Sequence, residues 1–262
     1  MPVKLYRAAP YLHTQENEAF EKLCLLGDRH LRDKGDVRIL GNVRCGGYEI
    51  DAVVMSERAI TIIDFKDYGG TITACENGTW VTDGGVTVKG GSYRNPFEQV
   101  RVYKRGMMNW LESTVGWSDA NDVTHISGLA LFTRPVTIGL SDVPPTVSKW
   151  FRVADFKGGL RWLRDVSSPK LDLQHDYLDR IVDHLKVEPF TPAQIEDETS
   201  NAQAKRAEVW EILRDLDDQR MADWELQNRD WLKEQADQLN EADRIRFEKE
   251  AEFRCLLDLD LR

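Results

Sequence analysis

Glu49-Ile50-Asp51-Ala52-Val53-Val54-Met55 and Ala59-Ile60-Thr61-Ile62-Ile63-Asp64-Phe65-Lys66 are two apolar runs separated only by Ser56-Glu57-Arg58. Their length and β-branched content predict two buried strands joined as a hairpin. Buried strands usually exclude charge, because a lone ionised carboxylate in an apolar medium is very costly. Yet each run holds an aspartate, and the second closes on a lysine. Side chains alternate along a strand, so Asp64 and Lys66 share a face, and Asp51 comes alongside from the neighbouring strand. Two acids and one lysine need a partner, and a divalent cation answers that need. Two or three carboxylate oxygens, the main-chain carbonyl of Phe65 and water suit Mg2+ or Mn2+. Such an ion polarises a phosphate and acidifies bound water, while Lys66 orients that water and offsets charge on the phosphoryl oxygens. The plain alternative is an ordinary Asp51–Lys66 ion pair, or an Asp64 that merely ends its strand.

Working outward, residues 16–31 carry Phe20, Leu23, Cys24, Gly27 and Leu31 at helical spacing, with Thr14 as the expected N-cap. Residues 37–44 read as a strand that leads into a Gly46-Gly47 turn. Beyond the hairpin, residues 71–75, 79–82 and 86–88 are short β-like pieces parted by Asn77-Gly78 and Asp83-Gly84-Gly85. Asn95-Pro96-Phe97-Glu98 is a helix start, with Asn as N-cap, Pro at the first position and Glu at the third, and it predicts a helix to about Leu111. Gln99 falls in its first turn, and Tyr103 lies four residues on along the same face. Residues 127–133 and 150–153 read as strands, and 160–165 and 171–185 as helices.

The chain has 262 residues and a net charge of −10. Residues 191–262 hold 11 Lys/Arg and 20 Asp/Glu, whereas residues 1–190 are close to neutral at −1. The acidity therefore sits in the tail and leaves a phosphate-bearing substrate compatible with the body. Residues 201–257 contain neither Gly nor Pro and are rich in Glu, Asp, Arg, Gln and Leu, which predicts one long helix or a helical hairpin. Trp210, Trp224 and Trp231 suggest a heptad seam, which Asp217 and Gln238 interrupt. Capping-box patterns at Thr191–Gln194 and Ser200–Gln203 place the boundary there. The expected organisation is a domain over 1–190 and an acidic helical extension over 191–262. Residues 200–257 are the expected surface for a second copy or a protein partner, or a nucleic-acid mimic that covers the cleft.

Cys24, Cys45, Cys75 and Cys255 are scattered and the five histidines show no metal-ligand spacing, so reduced thiols are expected and zinc is not. There is no Gly-x-Ser-x-Gly and no full phosphate-loop spacing. No apolar run approaches the ~18 residues of a membrane span, and the first residues lack a signal-peptide apolar region. A cytoplasmic protein with no membrane segment is expected.

Tyr48-Glu49-Ile50-Asp51-Ala52-Val53-Val54, then Ile62-Ile63-Asp64-Phe65-Lys66-Asp67-Tyr68-Gly69-Gly70-Thr71-Ile72, then Asn95-Pro96-Phe97-Glu98-Gln99-Val100 resemble the NERD (nuclease-related) domain, over roughly residues 14–155. That family looks like a branch of the PD-(D/E)XK nuclease superfamily. The resemblance implies an α/β fold with a restriction-endonuclease-like mixed sheet flanked by helices, followed here by the helical extension. It implies a Mg2+- or Mn2+-dependent nuclease acting on DNA more than RNA, in a prokaryotic cytosol, with a role in defence against foreign DNA.

Residue by residue, the family's strand aspartate falls on Asp51, its acid-x-Lys strand on Asp64 and Lys66, its second-helix glutamine on Gln99, and its first-helix glutamate on Glu16 or Glu18. The commoner acid before x-Lys is Glu, so Asp64 shortens the reach by one methylene. Arg101, Lys104 and Arg105 on the second helix, with Lys89 and Arg94 in the loop before it, are the candidate contacts to a nucleic-acid backbone. The rival is a non-catalytic subunit that binds nucleic acid or protein through the same fold and assembles through its C-terminal helix.

Overall fold

The computed structural model describes residues 3–117, 121–140, 145–192 and 200–237. In chain order the elements open with β1 (Lys4–Arg7), α1 (Thr14–His30), β2 (Arg38–Cys45), β3 (Tyr48–Ser56) and β4 (Ala59–Lys66). There follow β5 (Gly70–Ala74), β6 (Trp80–Thr82), β7 (Thr87–Val88), α2 (Pro96–Trp110), β8 (Ser127–Phe132), β9 (Val136–Leu140) and α3 (Pro145–Ser148). The remainder are β10 (Phe151–Asp155), α4 (Phe156–Asp165), α5 (His175–Leu185), β11 (Glu188–Pro189), α6 (Ser200–Gln227) and α7 (Arg229–Asp237). The chain divides into two compact units, Met1–Gln194 and Ile195–Arg262.

The first unit is built on a seven-stranded sheet in the order β10-β8-β4-β3-β2-β1-β11. β4, β8 and β10 run parallel, and the β2–β3–β4 meander is antiparallel. A second sheet, β7-β6-β5-β9, is inserted around the crossover between β4 and β8. Parallel central strands are covered on both faces, which is why β4 and β8 read as continuous apolar runs and not as alternating ones. One face packs Leu40, Val53, Ile62 and Phe132 with Phe97, Val100 and Met107 of α2 and with Leu178 and Ile181 of α5. On the other, Gly27 of α1 lies against Ile39 and Gly159 of α4 against Leu131, at distances that a Cβ would violate. This is the mixed α/β class that the sequence predicts.

Most expected elements lie within a residue or two of those observed. Thr14, however, is the first helical residue and not the cap: His13 holds the cap position, and its side chain makes no capping bond. The helix expected over 171–185 starts only at His175. Its first residues are a strap along the hairpin turn, where Ser168 N donates to Arg58 O at 2.8 Å and Leu173 N to Glu57 O at 2.7 Å. Strands β1, β9 and β11 are too short for their own periodicity to announce them.

The second unit begins its described part with α6, which breaks at Asn228 before α7. There the Asn228 side chain donates to Trp224 O at 2.8 Å. Leu213 and Leu216 are buried, and Trp210 and Trp231 are exposed. Residues 238–257 of the expected helix lie outside the described residues. Among the described residues no helix is long and apolar enough to cross a membrane.

Candidate active site

The site forms where the β3–β4 hairpin stops pairing. Main-chain pairing runs from Ser56↔Ala59 to Ala52↔Ile63, and one further step puts Asp51 opposite Asp64. At that step the Asp51 side chain takes over from the main chain and accepts from Phe65 N at 2.6 Å. The matching step between β2 and β3 is also interrupted, between Gly41↔Ala52 and Val43↔Ile50. There Asn42 turns to φ +51°. The Tyr11 hydroxyl fills the gap: it accepts from Asn42 N at 3.0 Å and donates to Asp51 O at 2.5 Å. Asn42 Nδ2 in turn donates to the carbonyls of Ala9 and Pro10 at 3.1 Å and holds that segment in place. Neither Tyr11 nor Asn42 belongs to a recognisable pattern in the sequence. A left-handed asparagine inside a predicted strand is their only local signal, and it exists only in the folded backbone.

Asp64 is fully buried and Lys66 is 8% exposed. The lysine Nζ lies 2.8 Å from the Asp64 carboxylate oxygens. Hydrogen-bond geometry is met at Oδ1, and Oδ2 is buried without a hydrogen bond. Burial, and then the nearby Asp64, push the Asp51 carboxyl well above the usual carboxylate range. Asp64 is also raised by burial, against the pull of Lys66. For Lys66, burial works against the charge, but the two aspartates outweigh it and hold the ammonium above its ordinary value. Fully ionised, the trio would hold one negative charge in excess in a desolvated place, and that is what pushes the carboxyls upward.

α2 delivers the glutamine. Asn95 caps the helix, its Oδ1 accepting from Glu98 N at 2.8 Å, while Glu98 reaches back to Arg94 N at 3.2 Å, one residue before the cap. A Cβ on Gly128 would lie 2.3 Å from Val100 Cγ1, so glycine lets α2 rest directly on β8. Gln99, 6% exposed, therefore faces the end of β4. Its Oε1 accepts from Lys66 Nζ at 3.2 Å, and its Nε2 donates to the Tyr103 hydroxyl at 2.8 Å.

Of the two first-helix acids, Glu16 lies near enough to raise both Asp51 and Asp64, whereas Glu18 is exposed. Among the described residues no three His, Cys, Asp or Glu converge closely enough to form a metal-binding cluster. The donor set is therefore two opposed aspartates, one of them fully buried and ion-paired with Lys66. That fits Mg2+ or Mn2+, which commonly take one or two protein carboxylates and complete their shell with water and substrate phosphate.

The candidate backbone contacts separate into groups. Lys89 and Arg105 are exposed. Arg94 Nη1 donates to Asn77 O at 2.6 Å and ties its loop to the β5–β6 turn. Arg101 stacks 5.3 Å from the Phe97 ring, 3.9 Å from Glu76. Lys104 is not brought to the aspartates: its Nζ donates to Thr124 O at 2.6 Å and lies 4.6 Å over the Trp150 ring. Those partners sit before β8 and β10, at the opposite end of the sheet from Asp64.

Residues 16–133 match the model of the nuclease-related domain, NERD. No curated protein and no solved structure matches the chain. The matched span runs from the first turn of α1 to the end of β8 and contains Glu16, Asp51, Asp64, Lys66 and Gln99. A large mixed sheet with helices on both faces is consistent with a restriction-endonuclease-like core.

Proposed function

From the premise that this chain carries a nuclease-related domain, we propose that it is a Mg2+- or Mn2+-dependent phosphodiesterase that cuts DNA more than RNA. The observation that carries the reading is the contact of buried Asp64 with Lys66 and of Lys66 with Gln99, beside Asp51 on the neighbouring strand. Asp51 and Asp64 would hold the ion, with Glu16 as a more distant negative charge. When bound, it supplies charge neutralisation and a more acidic water. Lys66 stays protonated between the aspartates, orients the attacking water and stabilises charge growing on the phosphoryl oxygens. Gln99 accepts from Lys66 and receives its own orientation from Tyr103, so the ammonium is aimed before substrate arrives. The proposal places the activity in the cytoplasm, in defence against foreign DNA, following the family resemblance.

The test is incubation of plasmid and labelled oligonucleotides with Mg2+, Mn2+ or EDTA, using the wild type, Asp64→Asn and Lys66→Ala. Cleavage that needs the ion and is lost in both variants is the expected result. Cleavage that persists in both overturns the assignment. Thermal melting gives a readout besides activity: Mn2+ should raise the wild-type melting temperature and leave Asp64→Asn unchanged.

A second reading is a non-catalytic subunit that binds nucleic acid or protein and assembles through residues 200–257. It draws on a carboxylate pair in place of a triad among the described residues. Tight DNA binding in EDTA with no cleavage under any ion would favour it.

A further inference from the structure

At the end of β4 opposite to Asp64 and Lys66 lies a second polar recess, of about 340 Å3. The length of β4 separates the two places by roughly 20 Å. Three cationic residues line the recess: Arg58 from the hairpin turn, Lys104 from α2, and Lys149 from the segment before β10. Arg58 and Lys149 are exposed, and among the described residues their charged groups have no hydrogen bond or ion pair. His125, Ser127 and Ser168 add imidazole and hydroxyl groups, and no acidic side chain lines the walls. Ser127 is 6% exposed and its hydroxyl is likewise unbonded among the described residues. Ser168 Oγ and His125 Nδ1 are 2.8 Å apart, and Asp122 lies 3.6 Å from the far side of that ring. Burial brings the Lys104 ammonium down to about 8, and an anion beside it would favour its charged form further.

We propose that this recess binds a phosphate group, on a ligand the size of a mononucleotide. Three convergent cations with hydroxyl donors and no competing carboxylate match a phosphate better than a carboxylate, because its oxygens accept more hydrogen bonds and its charge is larger. The volume falls in the range of small-molecule sites, about 300–1,000 Å3. The two uncommitted cations provide the binding charge, and the Lys104–Trp150 contact forms the floor. The inference does not depend on cleavage, since these residues take no part in the aspartate site.

The experiment is fluorescence anisotropy of N-methylanthraniloyl-AMP titrated with the full chain at low ionic strength in EDTA, which removes metal-mediated phosphate binding at the aspartates. Saturable binding is expected, competed by AMP and by inorganic phosphate but not by adenosine. The surface variant Arg58→Ala/Lys149→Ala should weaken it at least tenfold, while Arg44→Ala, at an exposed position of β2 outside the recess, should not change it. Unchanged affinity in the double variant, equal competition by adenosine, or no binding at millimolar concentration would each overturn the proposal. A single-stranded oligonucleotide tests the source: competition no stronger per phosphate than AMP supports a mononucleotide-sized ligand. Far stronger competition, lost in the double variant, assigns the phosphate to a polymer backbone and overturns the small-ligand form.

Discussion

Tyr11 holds Asp51 through the main chain. Its hydroxyl donates to the Asp51 carbonyl at 2.5 Å and accepts from Asn42 N at 3.0 Å, at the one step where β2 and β3 do not pair directly. A side chain there replaces a pair of ladder bonds and leaves the Asp51 carboxylate free to turn toward Phe65 N. Tyr11→Phe removes both hydrogen bonds and leaves a buried donor and acceptor unsatisfied. A loss of about 1–3 kcal/mol in urea unfolding is expected, with slower cleavage. Unchanged stability would show that the hydroxyl is dispensable to the ladder.

Lys66→Met leaves two buried aspartates without their ammonium. Breaking a buried ion pair from one side typically costs about 3–5 kcal/mol, so denaturant unfolding in EDTA should show a loss of that order. Mn2+ should recover part of it, because the ion supplies the missing positive charge. If Mn2+ recovers nothing, the aspartates do not bind it.

Gln99→Leu keeps size and removes the acceptor at 3.2 Å from Lys66. Groups that orient the residues around a metal centre are worth about 10–100-fold in activity, and a fall in kcat of that size is expected with KM little changed. Tyr103→Phe removes only the outer support and should cost less than Gln99→Leu. The reverse order would contradict the chain from Tyr103 through Gln99 to Lys66.

Gly128→Ala tests the seating of α2. The new methyl would meet Val100 Cγ1 at 2.3 Å, and overpacking of this kind costs about 1–3 kcal/mol. Val100→Ala in the same chain should recover much of the loss in thermal melting and restore cleavage. Without recovery, some contact other than Val100 sets the position of the helix.

Asp36 supplies a pH test away from the aspartate site. It is buried beside Arg38 Nη2 at 3.0 Å and in contact with His175. Although burial works against its charge, hydrogen bonds from Arg38 and His175 hold the carboxyl below its ordinary value. The unfolded chain therefore takes up this proton first as pH falls. The contribution of Asp36 is complete above about 4, the ordinary Asp value, and is lost as pH drops through its folded value. Asp36→Asn should lose roughly 1.5–3 kcal/mol at neutral pH, the span for hydrogen bonds to charged groups. Its acid-unfolding curve should also be flatter below pH 4 than that of the wild type. An unaltered curve would remove Asp36 from the acid transition.

Much of the domain was legible because its signals are local. The β4 run matches the observed bounds, since its eight residues, six of them apolar or β-branched, have no competing helical period. Asn95-Pro96 announced α2, since cap and first-turn chemistry act within four residues. The sharing of a face by Asp64 and Lys66 needs only strand alternation, and that of Gln99 and Tyr103 only helical pitch. By contrast, helix α1 left Glu16, on the stripe of Phe20 and Leu23, and Glu18 both open, and its docking on the sheet brings Glu16 near the aspartates. Lys104 shared a basic helix face with Arg101 and Arg105, but α2 is long enough to carry it to the other end of the sheet.

By itself, then, the sequence determined the central strands, the start of α2, the order of Asp51, Asp64, Lys66 and Gln99, and the acidic tail, because each follows from spacing along a few residues. The tertiary structure alone decided that Tyr11 replaces a ladder step, that Gln99 meets Lys66, and that Arg58, Lys104 and Lys149 line one recess. These arrangements join residues tens of positions apart. Their geometry is set by how helices and strands pack, which no local period encodes.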